Sequence, residues 1–481
     1  MKPVLVKKFG GTSVGSPARL RSLVQIVKSA RENYDPVVVV SAVSASEKNR
    51  GTTSLLLQAA RKAALGDSSF KNELEEIYLQ HDNLINEVIT EPRASSIKAQ
   101  IRGELDRVQG FLNALMVIRE VSPGSLDVVV SSGERMSAML VAEALLEASC
   151  EAFPSDLSLV LADASEIDYS SQDIGSDSSW YDSLSSIFST YIFQKSAQDK
   201  IPGSVPVVTG FFGPVPGGLL NRVGRGYSDL TGALIARGLG RERVAELQVW
   251  KEVDGVFSAD PRRVPGARVL TEISPVEAVE LTFFGSEVLH PYTMEQVTSV
   301  GIPIRVLNSL KPHGAGTIIK PFSANDSGSG GRESGHVTAV TAKRGIVVLS
   351  ITSNRMYDAQ GFLANLFGIL NEFNLVVDLV STSEVTVSCT VNDISKLRKA
   401  TSKLEALGEM SILEDRAILA VVGEGLRYNI KPVSKMCEAL SLSGISVEMI
   451  TQAATRNSIS CVVPEDQVES GLKIVHEALF G

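Results

Sequence analysis

From Met1 to about Pro321, short β-branched runs alternate with longer stretches whose apolar residues recur at spacings of three and four. The runs Val37-Val38-Val39-Val40, Asp127-Val128-Val129-Val130, Val205-Pro206-Val207-Val208-Thr209 and Leu247-Gln248-Val249-Trp250 are near-continuous in apolar character, as a sheet covered on both faces requires. Between them, Thr53 to Leu65, Ser95 to Val117 and Glu134 to Ala148 carry helical spacing. The alternation predicts a large α/β domain.

The pattern breaks at Ser323 to Gly335, a Gly/Ser-rich stretch with almost no apolar residue and the composition of a flexible linker. Beyond it the pattern repeats. Ile346 to Ile351, a helix from Gly361 to Phe373, Leu375 to Val380 and Val385 to Cys389 read as strand, helix, strand, strand. Ala417 to Val422, a helix through Val433 to Leu442, Ile445 to Ile450 and Ser458 to Val463 give the same order, with Asp378 matching Glu448 and Cys389 matching Cys461. Two copies of a βαβ-type module of about 70 residues account for this. The expected organisation is an α/β domain over 1–321, a linker over 322–335 and modules over 336–411 and 412–481, with nesting of one module in the other left open.

The 481-residue length suits about three domains, and 44% hydrophobic with 21% charged residues sets disorder aside. A net charge of -9 without a long basic tract argues against nucleic-acid and anionic-membrane partners. A small anionic substrate would be met by a few placed cations. Cys150, Cys389, Cys437 and Cys461 lie far apart and suggest neither a zinc site nor a disulfide framework, so no protein-held metal is expected. No apolar stretch reaches membrane-span length, and the first strand-like run begins at Val4 with no signal or transit peptide ahead of it. The expected location is the cytosol.

Candidate chemistry gathers in glycine-rich turns. Val4-Leu5-Val6-Lys7-Lys8-Phe9-Gly10-Gly11-Thr12-Ser13-Val14 is a strand, a lysine pair and a glycine pair ahead of a helix near Pro17. Glycines let backbone N–H groups approach a phosphate and a lysine supplies a point charge, although a plain turn fits the stretch equally well. Gly224-Arg225-Gly226-Tyr227-Ser228-Asp229-Leu230-Thr231 leads into a helix over Leu230 to Leu239. Its arginine suits a carboxylate, and Ser228 or Asp229 could simply cap the helix. Val249 to Arg262 runs from a strand into a charged turn, at the strand end where open α/β sheets bind ligands. Ser132-Gly133-Glu134-Arg135 is read as a similar turn after a buried strand.

Together KFGGTSV at 8 to 14, SSGERMSA at 131 to 138, GRGYSDLT at 224 to 231, WKEVDGVFSADPR at 250 to 262 and FGSEVLHP at 284 to 291 resemble aspartate kinase, a family of the amino-acid kinase superfamily, in order and spacing. The C-terminal repeat resembles that family's paired ACT modules, and the fungal form is nearest. The resemblance implies an amino-acid kinase fold, α/β with a mainly parallel central sheet between helices, followed by two ferredoxin-like βαββαβ ACT modules. It implies phosphorylation of L-aspartate by ATP with Mg²⁺ to give 4-phospho-L-aspartate, the first step towards threonine and methionine. Lys8 and Asp229 would be catalytic, with Gly10, Gly11 and Ser13 lining the phosphate path. Arg225, Ser228 and Thr53 would hold the substrate carboxylate and Glu134 its ammonium. Lys251, Glu252, Phe257 and Arg262 would form the nucleotide pocket. Lys7 is expected to tolerate change. Glu287 stands where many relatives carry a nucleotide-contacting lysine, so that contact does not transfer.

The modules imply an amino-acid effector, threonine in fungal relatives and lysine in many bacterial ones, and a homo-oligomer formed through them. The matching effector positions are Met356, Asp358, Gln360, Gly361, Val377, Asp378, Thr382, Ser383 and Glu384, which ordinary capping and strand-end roles would also explain. The alternatives are another amino-acid kinase, of glutamate 5-kinase or acetylglutamate kinase type, or a non-catalytic amino-acid sensor. The arginine and acid placement in GRGYSDLT and GERMSA opposes the first, and the presence of Lys8, Arg225 and Asp229 opposes the second.

Overall fold

The computed structural model describes residues 2–44, 48–163, 178–198, 203–224, 226–286, 289–320, 336–353, 361–424, 426, 429–452 and 457–481. The chain divides into two compact units, Met1–Val256 with Leu289–Pro321, and Phe257–Val288 with Phe322–Gly481. The expected linker over 322–335 lies outside the described residues, as do Arg225, Glu287, Met356, Asp358 and Gln360.

In the first unit the strands are β1 (Val4–Phe9), β2 (Asp35–Val40), β3 (Ala152–Ser155), β4 (Val205–Thr209), β5 (Val244–Lys251), β6 (Ile304–Asn308) and β7 (Thr317–Ile319). They lie side by side in the order β3-β4-β2-β1-β5-β6-β7. Each pairing is parallel except β6 with β7. All six residues of β1 and the five valines and prolines of Pro36–Val40 are buried, which explains their unbroken apolar character. The Pro17–Ala30 helix starts where expected, with Ser16 accepting from the Arg19 N–H at 3.4 Å and Pro17 at its first position.

One predicted strand is a helix. Asp127 to Val130 belong to the second turn of Pro123–Glu147, begun by Ser122, whose hydroxyl accepts from the Ser125 N–H at 3.1 Å, and by Pro123. A short apolar run fits a buried strand and a buried helix alike. Here the cap, the proline and burial of Asp127, Val129 and Val130 within a long helix buried on most of its sides outweigh β-propensity. Ser132 to Arg135 are therefore mid-helix, not a turn after a strand.

Lys7, expected to tolerate change, is buried. Adjacent strand residues face opposite sides of a sheet, and the side given to Lys7 is interior, leaving it 3% exposed. Its ammonium donates to Gln248 and sits 5.2 Å from the ring centroid of Trp250, which stacks on Phe9 at 5.7 Å. Burial pushes the ammonium pKa down to about 8, against the opposing pull of Glu246.

The second unit contains a six-stranded antiparallel sheet made of β8 (Ala339–Thr352), β9 (Val377–Thr382), β10 (Thr386–Val391), β11 (Glu409–Val422), β12 (Met449–Gln452) and β13 (Ser458–Pro464), in the order β9-β10-β8-β11-β13-β12. Its two central strands are 14 residues long and pair from Ala339 with Val422 to Thr352 with Glu409, with register shifts between Leu413 and Ile418. Val347 to Thr352 pair with β10, whereas Arg416 to Val422 pair with β13. Each half of the sheet thus carries four strand segments, and the strand completing the later half is Ala339 to Lys343, which precedes the earlier half in the chain.

Each half has its own core. Phe362, Leu366, Leu370, Leu397 and Leu404 pack on Val347, Leu349 and Cys389, while Met436, Leu440, Leu472 and Val475 pack on Leu419, Val421 and Cys461. The matched acids are matched in partner as well. Asp378 accepts from Lys343 at 2.7 and 2.8 Å, and Glu448 from Arg416 at 2.7 Å.

Candidate active site

β1 and β2 are adjacent and parallel, so their carboxyl ends open on the same edge of the sheet, where ligands meet α/β folds. After β1 the chain makes a tight turn over Gly11–Val14, and the Gly11 carbonyl accepts from the Ser44 N–H at 3.1 Å. A Cβ on Gly11 would stand 2.3 Å from the Ala42 carbonyl oxygen. Only glycine admits this approach. Arg19 braces the loop from behind, donating to the Thr12 carbonyl at 3.1 Å and pairing with Glu252 at 2.6 Å.

Lys8, on the face opposite Lys7, forms a 2.6 Å ion pair with Asp229, each side chain about one-tenth exposed. Asp229 lies in the first turn of the Tyr227–Leu239 helix, where the helix dipole favours a carboxylate. Burial would raise its pKa, but the charges of Lys8, Lys251 and His290 outweigh burial and hold it below the usual carboxylate range. Ser13, buried, contacts Ser309 at 3.2 Å, and the Ser309 hydroxyl donates to the Lys251 carbonyl at 3.1 Å. Ser13 of the glycine loop and the Lys251 backbone thereby share one network at the end of β5.

Glu134 is fully buried and accepts from the Ser228 hydroxyl at 3.3 Å. Ser41, at the end of β2, donates to Ser228 at 3.0 Å. Burial pushes the Glu134 carboxyl up to about 8, against the lowering influence of Lys8, the Phe211 and Ala42 N–H groups and Ser228. Tyr227 reaches both Glu134 and Thr53 through its hydroxyl, and burial together with the Glu134 charge raises its pKa well above the ordinary value. Thr53 lines a cavity of about 220 Å³ with Ala42, Ser44, Gly51 and Thr52.

Thus Lys8, Gly10, Gly11, Ser13, Thr53, Glu134, Ser228, Asp229, Lys251 and Glu252 all lie in the first unit around these strand ends. Phe257 and Arg262 belong to the second unit. There Phe257 bridges to Val269, and the exposed Arg262 pairs with Asp260 at 2.8 Å within its own turn. Of the positions expected to meet an effector, Gly361 caps the Phe362–Glu372 helix, Val377, Asp378 and Thr382 lie on β9, and Ser383 and Glu384 form the exposed turn into β10. Asp378 is engaged by Lys343, its side chain 2% exposed.

Four residues of this environment have no role in the sequence analysis: Arg19, Ser41, Tyr227 and His290. Ser41 was signalled by its place directly after the valine run of a parallel strand. Tyr227 and His290 stood inside quoted motifs, but their proximity to Glu134 and Asp229 arises only on folding.

The model of the amino acid kinase family matches residues 3–308, and an ACT domain model matches 419–479. The aspartokinase of Saccharomyces cerevisiae is 39% identical over 99% of this chain and 92% of its own length. The structure of Escherichia coli aspartokinase III in complex with aspartate and ADP aligns over 99% of this chain and 100% of that one, at 26% identity and a TM-score of 0.76. The same enzyme in complex with lysine and aspartate aligns over the same shares at 26% identity and a TM-score of 0.74. Sequence and fold agree along the full length: the chain belongs to the aspartokinases of the amino acid kinase family.

Proposed function

We propose that this aspartate kinase transfers the γ-phosphoryl group of MgATP within the Lys8, Glu134, Ser228 and Asp229 cluster. The reading rests on the buried Lys8 to Asp229 pair beside the tight glycine loop that follows β1. An oxygen of the substrate's side-chain carboxylate forms the new bond to the γ-phosphorus, the bond to the β,γ-bridging oxygen breaks, and ADP leaves. No proton moves, because the nucleophile is already an anion. Lys8 neutralises charge on the transferring group and Gly10, Gly11 and Ser13 offer it donors, so catalysis is positioning and electrostatics. Asp229 holds Lys8 rather than acting as a base. Glu134 receives the substrate ammonium, Arg225, Ser228 and Thr53 its α-carboxylate, and Lys251, Glu252, Phe257 and Arg262 serve the nucleotide. Mg²⁺ arrives as the phosphate complex of the substrate.

In this reading the kinase chemistry belongs to 1–321 and regulation to the modules over 336–411 and 412–481, the earlier nested in the later, whose sheet Ala339 to Lys343 complete. The effector is threonine, bound at Met356, Asp358, Gln360, Gly361, Val377, Asp378, Thr382, Ser383 and Glu384 in a cytosolic homo-oligomer joined through the modules. It inhibits by favouring one kinase conformation over another. A coupled assay offering aspartate, glutamate and acetylglutamate tests the substrate; turnover of glutamate alone contradicts the site reading. Inhibition curves with threonine and lysine test the effector, and inhibition by lysine alone rejects threonine.

A further inference from the structure

We propose that Asp127 is a positioning residue for substrate, fixing the loop that leads into the Gly224 to Asp229 turn. Asp127 is fully buried and stands seven residues before Glu134, two turns along the same face of the Pro123–Glu147 helix. Its Oδ2 accepts from the Leu219 N–H at 2.7 Å and the Val215 N–H at 3.3 Å, and its carboxylate also meets the Leu220 N–H. Leu219 and Leu220 open the four-residue Leu219–Arg222 helix, whose Gly218 cap offers no side-chain acceptor, and Val215 lies in the loop before it. A Cβ at Gly213 would fall 2.7 Å from Oδ2, and one at Gly218 would fall 2.7 Å from the Pro123 Cβ. The loop therefore lies directly on the helix that carries Glu134. Among the described residues, Asp127 Oδ1 is buried with no hydrogen-bond partner. A carboxylate half-satisfied in the interior is a costly choice for packing alone, and what it secures is the register between Glu134 and Ser228, the two ends of the substrate-side contact.

The inference rests on Arg225 and Ser228 holding the substrate carboxylate. The experiment measures KM for aspartate, KM for ATP and kcat in full-length Asp127→Ala, Asp127→Asn and Arg225→Ala, with circular dichroism to monitor folding. In Asp127→Ala, KM for aspartate should rise about ten- to hundredfold while kcat and KM for ATP stay within about twofold. Asp127→Asn keeps an acceptor for Leu219 and should restore KM to within about threefold. Combining Asp127→Ala with Arg225→Ala should raise KM little beyond Arg225→Ala alone, because both act through one loop. A normal KM in Asp127→Ala beside a raised KM in Arg225→Ala overturns the inference only. A normal KM in Arg225→Ala overturns the reading beneath it. Equal losses in all three parameters also overturn the inference, since they mark general destabilisation. If Asp127→Ala does not fold, Gly213→Ala drives a methyl into Oδ2 and into the Phe211 ring with the carboxylate retained, and Phe211→Leu reports the ring's share; a selective rise in aspartate KM in Gly213→Ala but not in Phe211→Leu supports the proposal, and an unchanged KM or an equal rise in both overturns it.

Discussion

Glu134 makes the pH dependence of aspartate binding a quantitative test of the site. With its carboxyl pushed up to about 8 by burial, it is roughly one-tenth ionised at pH 7 and nine-tenths ionised at pH 9. A substrate ammonium requires the ionised form. Apparent affinity at pH 7 is then reduced about tenfold, and kcat/KM for aspartate should climb by nearly that factor between pH 7 and pH 9. Comparison with Glu134→Gln, which lacks the ionisation, separates this rise from titration of the substrate's own amino group. Calorimetry in buffers of different ionisation enthalpy should show close to one proton released per aspartate bound at pH 7. Stability carries the same signature. A carboxyl raised in the folded state contributes stability below its unfolded value, and that contribution is lost as pH rises through about 8. The substrate-free enzyme should therefore melt lower at pH 9 than at pH 7, and aspartate should restore the loss. Superimposable pH profiles for wild type and Glu134→Gln, with no proton released on binding, would refute the reasoning.

Lys8→Ala should lower kcat by about a thousandfold or more and destabilise the fold by about 3–5 kcal/mol, since Asp229 is left buried beside a lost partner. Adding Asp229→Ala should recover melting temperature without activity, as thermal scans and the coupled assay would show. Lys7→Ala should cost about 2–4 kcal/mol in urea titrations with kcat unchanged, and Lys7→Met distinctly less, because it retains the volume against Trp250. Cys389 and Cys461 are buried with thiols pushed up to about 12, and Cys150 is buried as well. A thiol reagent should therefore modify Cys437 first in the native protein and all four after denaturation.

The sheet of the first unit was readable because parallel strands buried on both faces leave uninterrupted apolar runs, as in Val37 to Val40. The glycine loop was readable because Gly11 answers a backbone constraint that no other residue meets. Asp127 to Val130 misled because four residues cannot distinguish two buried conformations, and the decisive cap at Ser122 lies outside the run. Burial of Lys7 and Lys8 alike was not legible, because a charged pair carries no local sign of burial and strand alternation shows only that the two occupy opposite faces. Contacts such as Tyr227 with Glu134, or Ser41 with Ser228, join residues far apart in sequence and have no local signature. Repeat pairing was legible as Asp378 with Glu448, yet their partners Lys343 and Arg416 emerged only from the sheet register.

The two 14-residue central strands impose an order on synthesis. Ala339 to Lys343 leave the ribosome before the 346–413 half but find their partners at 418–422 only after that half has been made. Until then they expose an unpaired edge of the kind that recruits other chains. A chain truncated near 412 would retain that edge permanently and should aggregate. Excising 346–413 and joining Lys343 to Arg416 through a short turn should instead leave the later half with all four of its strand segments, as the inserted half begins and ends at neighbouring points of the sheet.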